Sequence, residues 1–555
     1  MFLKNNITLN LMRKILVTCA LPYANGSIHI GHMLEHIQAD IWVRYHRMKG
    51  NEVWFVSADD AHGTAIMLKS KKLGISPNDL IKKIQKEHQQ DFINFNISHD
   101  NYHSTHSIEN LFLSRKIFAI LNKKKLIQEK TIFQFYDNVK NMFLPDRFIQ
   151  GQCVFCNAEN QYGDNCDHCG ATYEPIDLVN PISVISGSKP ILKKTKHLYF
   201  RLPSFKSMLK KWVNSGVLSK SVLKKTEEWF ELGLKSWCIS RDAPYFGFKI
   251  PRFPNKYFYV WLDAPIGYIS TFKNLCYKKP RLNFNDLWNE QSNYELYHFI
   301  GKDIIYFHTL FWPAILEAAS LRKPNGIFVH GYLTINGIKL SKSRISALIK
   351  AKDWIKCFNS DSLRYYYASK LSNNTNDIEI NLEQFVQKIN SDIVNKLVNL
   401  ASRNVSFIEK NFNGYLSKKL SDMKIYQYFV EASVVIEKYF ENREFNLVIQ
   451  ESMRLIDIAN KYINEKKPWT IQKTEKNQYV LQEICSMGIN LFRIVMIFLK
   501  PILPDLAIKT ENFLISKLTL DSIDQPLLHH KLNKFTPLYQ RINIKKINDL
   551  IKMCQ

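Results

Sequence analysis

A chain of 555 residues is too long for one ordinary domain; the usual domain size implies about three to four, with ample material for a buried core. Its 46% hydrophobic and 23% charged residues exclude a disordered or fibrous protein. The formal net charge of +26 favours a polyanionic partner, nucleic acid first; compositional drift toward Lys, Asn and Ile gives the same sign, so charge supports such a partner without establishing it.

The N-terminus carries no secretory signal. Residues 1–11 hold no motif, and translation can start at Met1 or Met12. Ile15 to Leu21 is apolar but short, and Pro22-Tyr23-Ala24-Asn25-Gly26 follows without a cleavage pattern. The apolar run after Arg493 is cut by Lys500 and Pro501, short of a membrane span. Ten cysteines in a chain this long are not a disulfide framework. The expected compartment is the cytosol, with no membrane partner.

In chain order, Lys14 to Ala20 predicts a buried strand and Ile30 to Met48 a helix ended by Gly50-Asn51. Glu52 to Ala58 predicts a second strand, so the unit opens a parallel nucleotide-binding sheet. His29-Ile30-Gly31-His32 falls at the start of the helix. Two imidazoles three residues apart share one helical face. The helix terminus adds free amide donors for phosphate, and Gly31 allows close approach of a nucleotide.

A long insertion follows, with Cys153-x-x-Cys156 and Cys166-x-x-Cys169 and a Trp/Phe-rich stretch around Trp229 and Trp237. Four thiolates at paired spacing suit tetrahedral zinc in a closed, structural site, against two disulfides or incidental thiols. Gly163 and Gly170 supply tight turns. Strands are expected again at Tyr257 to Leu262 and Leu296 to Ile300. Phe328 to Leu340 reads as strand, hairpin turn at Ile335-Asn336-Gly337-Ile338, and second strand. Lys339-Leu340-Ser341-Lys342-Ser343 comes directly after. Such a loop can close over a triphosphate, with Lys as a mobile point charge for leaving pyrophosphate. From about Asn395 the pattern is helical throughout, a bundle.

The histidine pair and the Lys-Leu-Ser-Lys-Ser loop together resemble the two signatures of class I aminoacyl-tRNA synthetases. Leu340 stands where relatives usually carry Met, a swap that keeps volume; Arg344-Ile345-Ser346 departs from their usual Arg-Gly-Thr or Arg-Gly-Asn. The stretches Cys19-Ala-Leu-Pro-Tyr-Ala-Asn-Gly26, Ser57-Ala-Asp-Asp-Ala-His-Gly63, Tyr259-Val-Trp-Leu-Asp-Ala-Pro-Ile-Gly-Tyr268 and Phe299-Ile-Gly-Lys-Asp-Ile-Ile-Tyr-Phe-His308 closely resemble the bacterial methionyl-tRNA synthetase family, from about Lys14 onward.

That resemblance implies ATP-dependent activation of L-methionine and its transfer to the 3′ end of tRNA(Met), with ATP arriving as its magnesium complex. It implies that His29, His32, Lys339 and Lys342 are catalytic, with Gly31 in the ATP site. Asp60 and the Leu21 backbone would hold the substrate ammonium. Tyr23, Trp261, Ala264, Pro265, Tyr268, Ile304, His308 and Trp312 would shape the side-chain pocket, Tyr23 or His308 sensing the thioether by a hydrogen bond. Sulfur packs well against such aromatic walls. Asn399, Arg403, Pro468 and Trp469 would read the anticodon, chemistry suited to base edges and stacking. One structural zinc on Cys153, Cys156, Cys166 and Cys169 belongs to the same family.

The expected fold is α/β, a doubly wound parallel Rossmann-like catalytic domain split by a zinc-binding insertion and followed by an all-α helical bundle. The expected divisions are 12–107 and 256–331 for the catalytic halves, 108–255 for the insertion, 332–394 for a linker domain with the Lys-Ser loop, and 395–555 for the anticodon-binding bundle. A monomer is expected, because no further dimerising barrel follows and no heptad seam is present. Rival readings are a class I synthetase for an aliphatic amino acid, a non-catalytic zinc-bearing RNA-binding protein, and a tRNA-independent nucleotidyltransferase with the same histidine pair.

Overall fold

The computed structural model describes residues 12–554 except 146–147, 164–165, 167, 170, 172, 336–337, 340–348 and 473–476. Strand β1 (Lys14–Cys19) is buried without a break from Ile15 to Cys19 because it is covered on both faces. It leads into α1 (Ile30–Met48), whose Ile30, Leu34, Ile37 and Ile41 are all buried. Next come β2 (Glu52–Asp59), α2 (Pro77–Asn94) and β3 (Asn101–Ser104). After the insertion the same layer resumes with α3 (Val260–Lys278), β4 (Glu295–Gly301) and β5 (Gly326–His330).

The five strands form one parallel sheet in the order β5-β4-β1-β2-β3. The chain leaves β1 toward one side and returns on the other, so the strand order switches beside β1. A crevice at the carboxyl ends of strands opens at such a switch point.

Three sequence expectations are corrected. The run Tyr257 to Leu262 is not a strand. Only Lys256–Phe258 pairs, with Ser240–Asp242, and Val260 starts α3, because Leu262, Ile266 and Ile269 bury one helical face against the sheet. The expected hairpin strands do pair, Thr334 with Lys339 and Ile335 with Ile338, but the run from Phe328 into them is not one strand. His330 ends the catalytic sheet, and Leu333–Ile335 joins a separate sheet with Ile338–Lys339 and Ile378–Ile380. Gly331 makes the break: a Cβ there would lie 2.0 Å from the Asn376 carbonyl oxygen. The Asn336-Gly337 turn itself lies outside the described residues. Finally, the C-terminal region is not helical throughout: residues 523–544 run as turns and extended chain across the bundle.

In the insertion, Ile127–Asp137 pairs along its length with Ile191–Phe200, and a small sheet of Ile149–Gln152, Gln161–Tyr162 and Val179–Ser183 carries the cysteines. Helix Ile108–Lys123, at the start of the expected insertion, packs on α3 and shares the catalytic core through Leu113, Ile117 and Leu121.

Helical structure begins at Leu382 and runs without interruption to Phe412, through the expected division at 394/395. Met423–Glu441, Phe445–Lys466 and Gln478–Leu499 complete the bundle. Gln478–Leu499 starts well before Arg493 and is long and apolar enough to cross a membrane by length and composition; its most apolar window is 83% buried inside the protein, the character of a core helix.

One apolar cluster joins α1 to the bundle, including Trp42, Trp354, Phe440 and Phe498. Within it the buried Arg364 guanidinium pairs with Asp40 of α1 at 2.7 Å and donates to the carbonyls of Ile502, Pro501 and Phe95. Burial alone would raise the Asp40 carboxyl, but Arg44 and Arg364 hold it below the usual range.

Candidate active site

A cavity of about 1020 Å³ lies at the carboxyl ends of β1, β2, β4 and β5. Its walls include Leu21, Tyr23, His29, Gly31 and His32 after β1, Asp60 and Gly63 after β2, Ile304 after β4, and His330 and Gly331 after β5. Trp261, Ala264, Pro265 and Tyr268 of α3 and His308 close the opposite wall. Residues far apart in sequence thus meet because the strand ends converge.

His29 is the N-cap of α1. Its Nδ1 accepts from the Gly31 N–H at 3.1 Å, and the Nδ1 of His32 accepts from the His29 N–H at 3.3 Å. The two rings stack with centroids 3.7 Å apart. Burial brings the His29 imidazole down to about 4 and, with the His29 and His88 charges, puts His32 well below its ordinary value. Both are therefore neutral at pH 7, and since each Nδ1 accepts, each Nε2 bears the proton. The pair offers two N–H donors at a helix N-terminus, an anion site that adds no full positive charge of its own.

At the other end, the Asp60 backbone is paired to the loop after β1: its N–H donates to the Pro22 carbonyl at 2.9 Å and its carbonyl accepts from Ala24 at 2.8 Å. The Asp60 Oδ1 is buried and has no hydrogen-bond partner. Burial, then the Asp263 and Asp59 charges, raises its pKa well above the carboxylate range. Such a group lacks a cation, and an ammonium ion supplies one together with hydrogen bonds.

The apolar wall is built from Trp261, stacked on Phe307 with centroids 3.6 Å apart, and Tyr268. The Tyr268 hydroxyl lies 2.8 Å from His308 Nε2, while His308 Nδ1 lies 3.0 Å from the Ile304 carbonyl. Since a carbonyl only accepts, His308 donates from Nδ1 and accepts from Tyr268; burial keeps it neutral, down to about 4. Both its nitrogens are used inside the wall. Burial, then the Asp60 charge, raises the Tyr23 hydroxyl well above its ordinary value, so it keeps its proton to donate. Gly63, at φ 118°, is required beside it, since a Cβ would meet the Tyr23 oxygen at 2.6 Å. Trp312 is not among the residues lining the cavity; it packs edge-on against Tyr268 and donates its indole N–H to His298 Nε2 at 3.2 Å.

Sequence reasoning missed several wall residues. Arg241 stacks on Tyr259, 3.5 Å from the ring centroid, and is the one Lys or Arg among the described wall residues. Glu35 and His330 pair at 3.3 Å and raise the basicity of the imidazole against its burial. Arg241 and His330 come from distant parts of the chain, whereas Glu35 lies one turn after His32 on α1. Lys342 lies outside the described residues, and of Lys339 only the backbone strand is described. The chain just beyond that loop returns to the site: the Ile30 N–H donates to the Ile349 carbonyl at 3.0 Å and the Ala351 N–H to the Ile28 carbonyl at 2.9 Å.

The four cysteine sulfurs lie within 4.8 Å of one another, with Cys153–Cys169 at 3.8 Å and Cys156–Cys166 at 3.5 Å. Tetrahedral zinc–thiolate bonds require sulfurs about 3.8 Å apart, so the set fits a four-coordinate metal. Backbone N–H groups of Phe155 and Cys169 point at the Cys153 and Cys166 sulfurs, as in a thiolate site. Gly163 lies at a bend, and Gly170 lies outside the described residues. In the bundle, Asn399 and Arg403 are one turn apart on helix Asn399–Phe412. The Arg403 guanidinium lies 5.3 Å from the Trp469 ring centroid. Trp469 is 38% exposed, whereas Pro468 is buried and begins a short helix.

The family model for class I tRNA synthetases, the M group, matches residues 15–405. The fold and site therefore place the chain in the class I tRNA synthetases. A methionine–tRNA ligase of Buchnera aphidicola subsp. Acyrthosiphon pisum (strain Tuc7) is 75% identical over 546 residues, 98% of this chain and 100% of that protein. Another, of Buchnera aphidicola subsp. Schizaphis graminum (strain Sg), is 70% identical over the same shares. Within the class, the chain belongs to the methionine–tRNA ligase family. Among solved structures, Mycobacterium tuberculosis methionyl-tRNA synthetase in complex with methionyl-adenylate shares the fold, with a TM-score of 0.78 at 21% identity, covering 96% of this chain and 100% of that one.

Proposed function

We propose that this methionine–tRNA ligase performs its two steps in the cavity beside β1. The methionine carboxylate attacks the ATP α-phosphate and pyrophosphate leaves; the terminal ribose hydroxyl of tRNA(Met) then attacks the methionyl-adenylate. The single observation that carries the reading is the unpartnered buried Asp60 Oδ1 facing a cavity whose other end holds the His29/His32 donors. An amino acid bound by its ammonium at Asp60 directs its carboxylate toward the phosphate site. Arg241 would neutralise the reacting anions. Tyr23 would donate to the thioether, and Trp261, Ala264, Pro265, Tyr268, Ile304 and His308 would enclose an unbranched side chain, with Trp312 packed edge-on against Tyr268. Catalysis is then positioning plus charge stabilisation.

The two histidines donate hydrogen bonds without full charge, so the triphosphate needs cations from elsewhere. Lys339 and Lys342 would supply them, the latter at the leaving pyrophosphate, and magnesium would arrive with ATP as part of the substrate. Zinc on the four cysteines would be structural, since four thiolates leave no open position. Asn399, Arg403 and Trp469 would meet the anticodon, with Pro468 setting the turn that presents Trp469. We further propose a cytoplasmic monomer: the longest apolar helix is spent inside the chain itself, not on a partner. Methionine-dependent exchange between pyrophosphate and ATP, run on Asp60→Asn, tests the site. A loss confined to methionine use supports it; unchanged exchange overturns it.

A further inference from the structure

The network behind the loop Pro22–Gly26 has no part in the steps above. His88 of α2 is 1% exposed. Its Nδ1 lies 2.6 Å from Asp59 Oδ1, and its Nε2 lies 2.6 Å from the Gly26 carbonyl oxygen. A carbonyl can only accept, so Nε2 donates. Asp59 Oδ1 also accepts the Tyr102 hydroxyl proton at 2.5 Å; an ionised carboxylate has no proton to give, so against it Nδ1 donates as well. With Asp59 ionised, both ring nitrogens carry protons and the ring is an imidazolium.

The position of this ring gives it a use. Asp59 precedes Asp60, the proposed ammonium site, and Gly26 lies three residues before His29, the phosphate-side donor. We propose that His88 is a positioning residue of adenylate formation: as an imidazolium bridging Asp59 and Gly26, it fixes the spacing between the amino-acid and phosphate ends of the site. The inference rests on the proposed active site. Loss of the ring proton removes a donor from one side, leaving a nitrogen lone pair against a carbonyl or carboxylate oxygen, and frees the loop.

The surrounding charges act in both directions. Asp59 on β2 and Asp91 on the same helix favour the imidazolium. Burial opposes it; His32 and His36 of α1 lie near enough to feel its charge and are themselves depressed by it. Glu87, one residue before His88 on α2, and Lys352, from the next helix, are paired with each other at 3.1 Å. The balance raises His88 above the ordinary imidazole value. A raised value means the bridge is complete below about 6.5, the ordinary value, and is lost as pH rises through the folded-state value.

Histidine-labelled protein read by nitrogen-15 NMR tests the protonation directly, the ring being assigned by its loss in His88→Gln or, if that variant does not fold, by its shift in Tyr102→Phe. Two protonated ring nitrogens at pH 7 are expected; a neutral ring overturns the proposal. The pH profile of methionine-dependent pyrophosphate exchange supplies the functional arm. His88→Gln should lower kcat/KM roughly ten- to hundredfold, as small misplacements do, and abolish the alkaline limb attributable to His88. An unchanged alkaline limb in that variant overturns the positioning role. Complete absence of exchange in the unaltered enzyme would instead overturn the proposed function, so the two failures are distinct.

Discussion

At the scale of single residues, Asp60 makes the sharpest demand. Burial and the neighbouring Asp263 and Asp59 charges hold its pKa well above the usual carboxylate range, and only the carboxylate binds an ammonium. Methionine binding should therefore be intact above that raised value and lost as pH falls through it, giving an acid limb in kcat/KM for methionine that starts above the ordinary Asp range near 3.9. Removing the like charge with Asp263→Asn should move this limb to lower pH. A limb that stays in place under that substitution contradicts the charge argument. Lys342 should act on the other end: Lys342→Ala is expected to slow methionine activation roughly 10²–10³-fold with methionine affinity nearly unchanged, the usual effect of losing one charge-stabilising group. In the bundle, Trp469→Ala should weaken tRNA charging by about 1–3 kcal/mol, the typical value of a lost base stack, and leave pyrophosphate exchange intact. A joint fall of both activities would make Trp469 a packing residue.

At the scale of elements, what could be read from sequence was what is local. His29 to His32 and the paired cysteines state their chemistry within a few residues, and β1, α1 and β2 follow from an apolar run, a helical period and a Gly-Asn stop. His330 was not legible, because it reaches the cavity only through the order of strands in the sheet; Arg241 arrives on the separate Ser240–Asp242 strand, and Glu35, one turn after His32 on α1, takes its meaning only from its pairing with His330. Val260 to Leu262 misled for a different reason: a short apolar, aromatic run suits strand and helix equally, and packing of Ile266 and Ile269 farther along decides for helix. Trp312 was assigned to the pocket by its neighbourhood; it packs edge-on against Tyr268, which lines the cavity, and is not itself among the lining residues. Two elements carry structural predictions. Elemental analysis should find one zinc per chain, reduced by Cys166→Ala; two disulfides without metal would contradict the thiolate site. Arg364 joins α1, the end of α2 and the bundle through one buried cation, so Arg364→Met should lower the unfolding free energy by about 3–5 kcal/mol, the cost of breaking a buried pair from one side. Denaturant titration measures it, and a change under 1 kcal/mol would mean the apolar cluster alone holds the two layers together.

At the scale of the whole molecule, the catalytic sheet and the bundle share one continuous core from Trp42 to Phe498, so the bundle's exposed Trp469 and the cavity sit on one scaffold. If the net charge of +26 carries much of the proposed tRNA binding, tRNA affinity should fall steeply with salt, while methionine activation changes little. Sedimentation at micromolar concentration should give a mass near 65.2 kDa; twice that mass would reveal a dimer surface. The central claim is that the cavity at the end of β1 selects methionine and that the chain then passes it to tRNA. Amino-acid-dependent pyrophosphate–ATP exchange across a panel including methionine, leucine, isoleucine and valine, followed by charging of tRNA(Met), tests it most directly. Exchange driven by methionine far above the others, with charging that follows, is the predicted result; exchange driven by a branched aliphatic amino acid, or none with any, would contradict it.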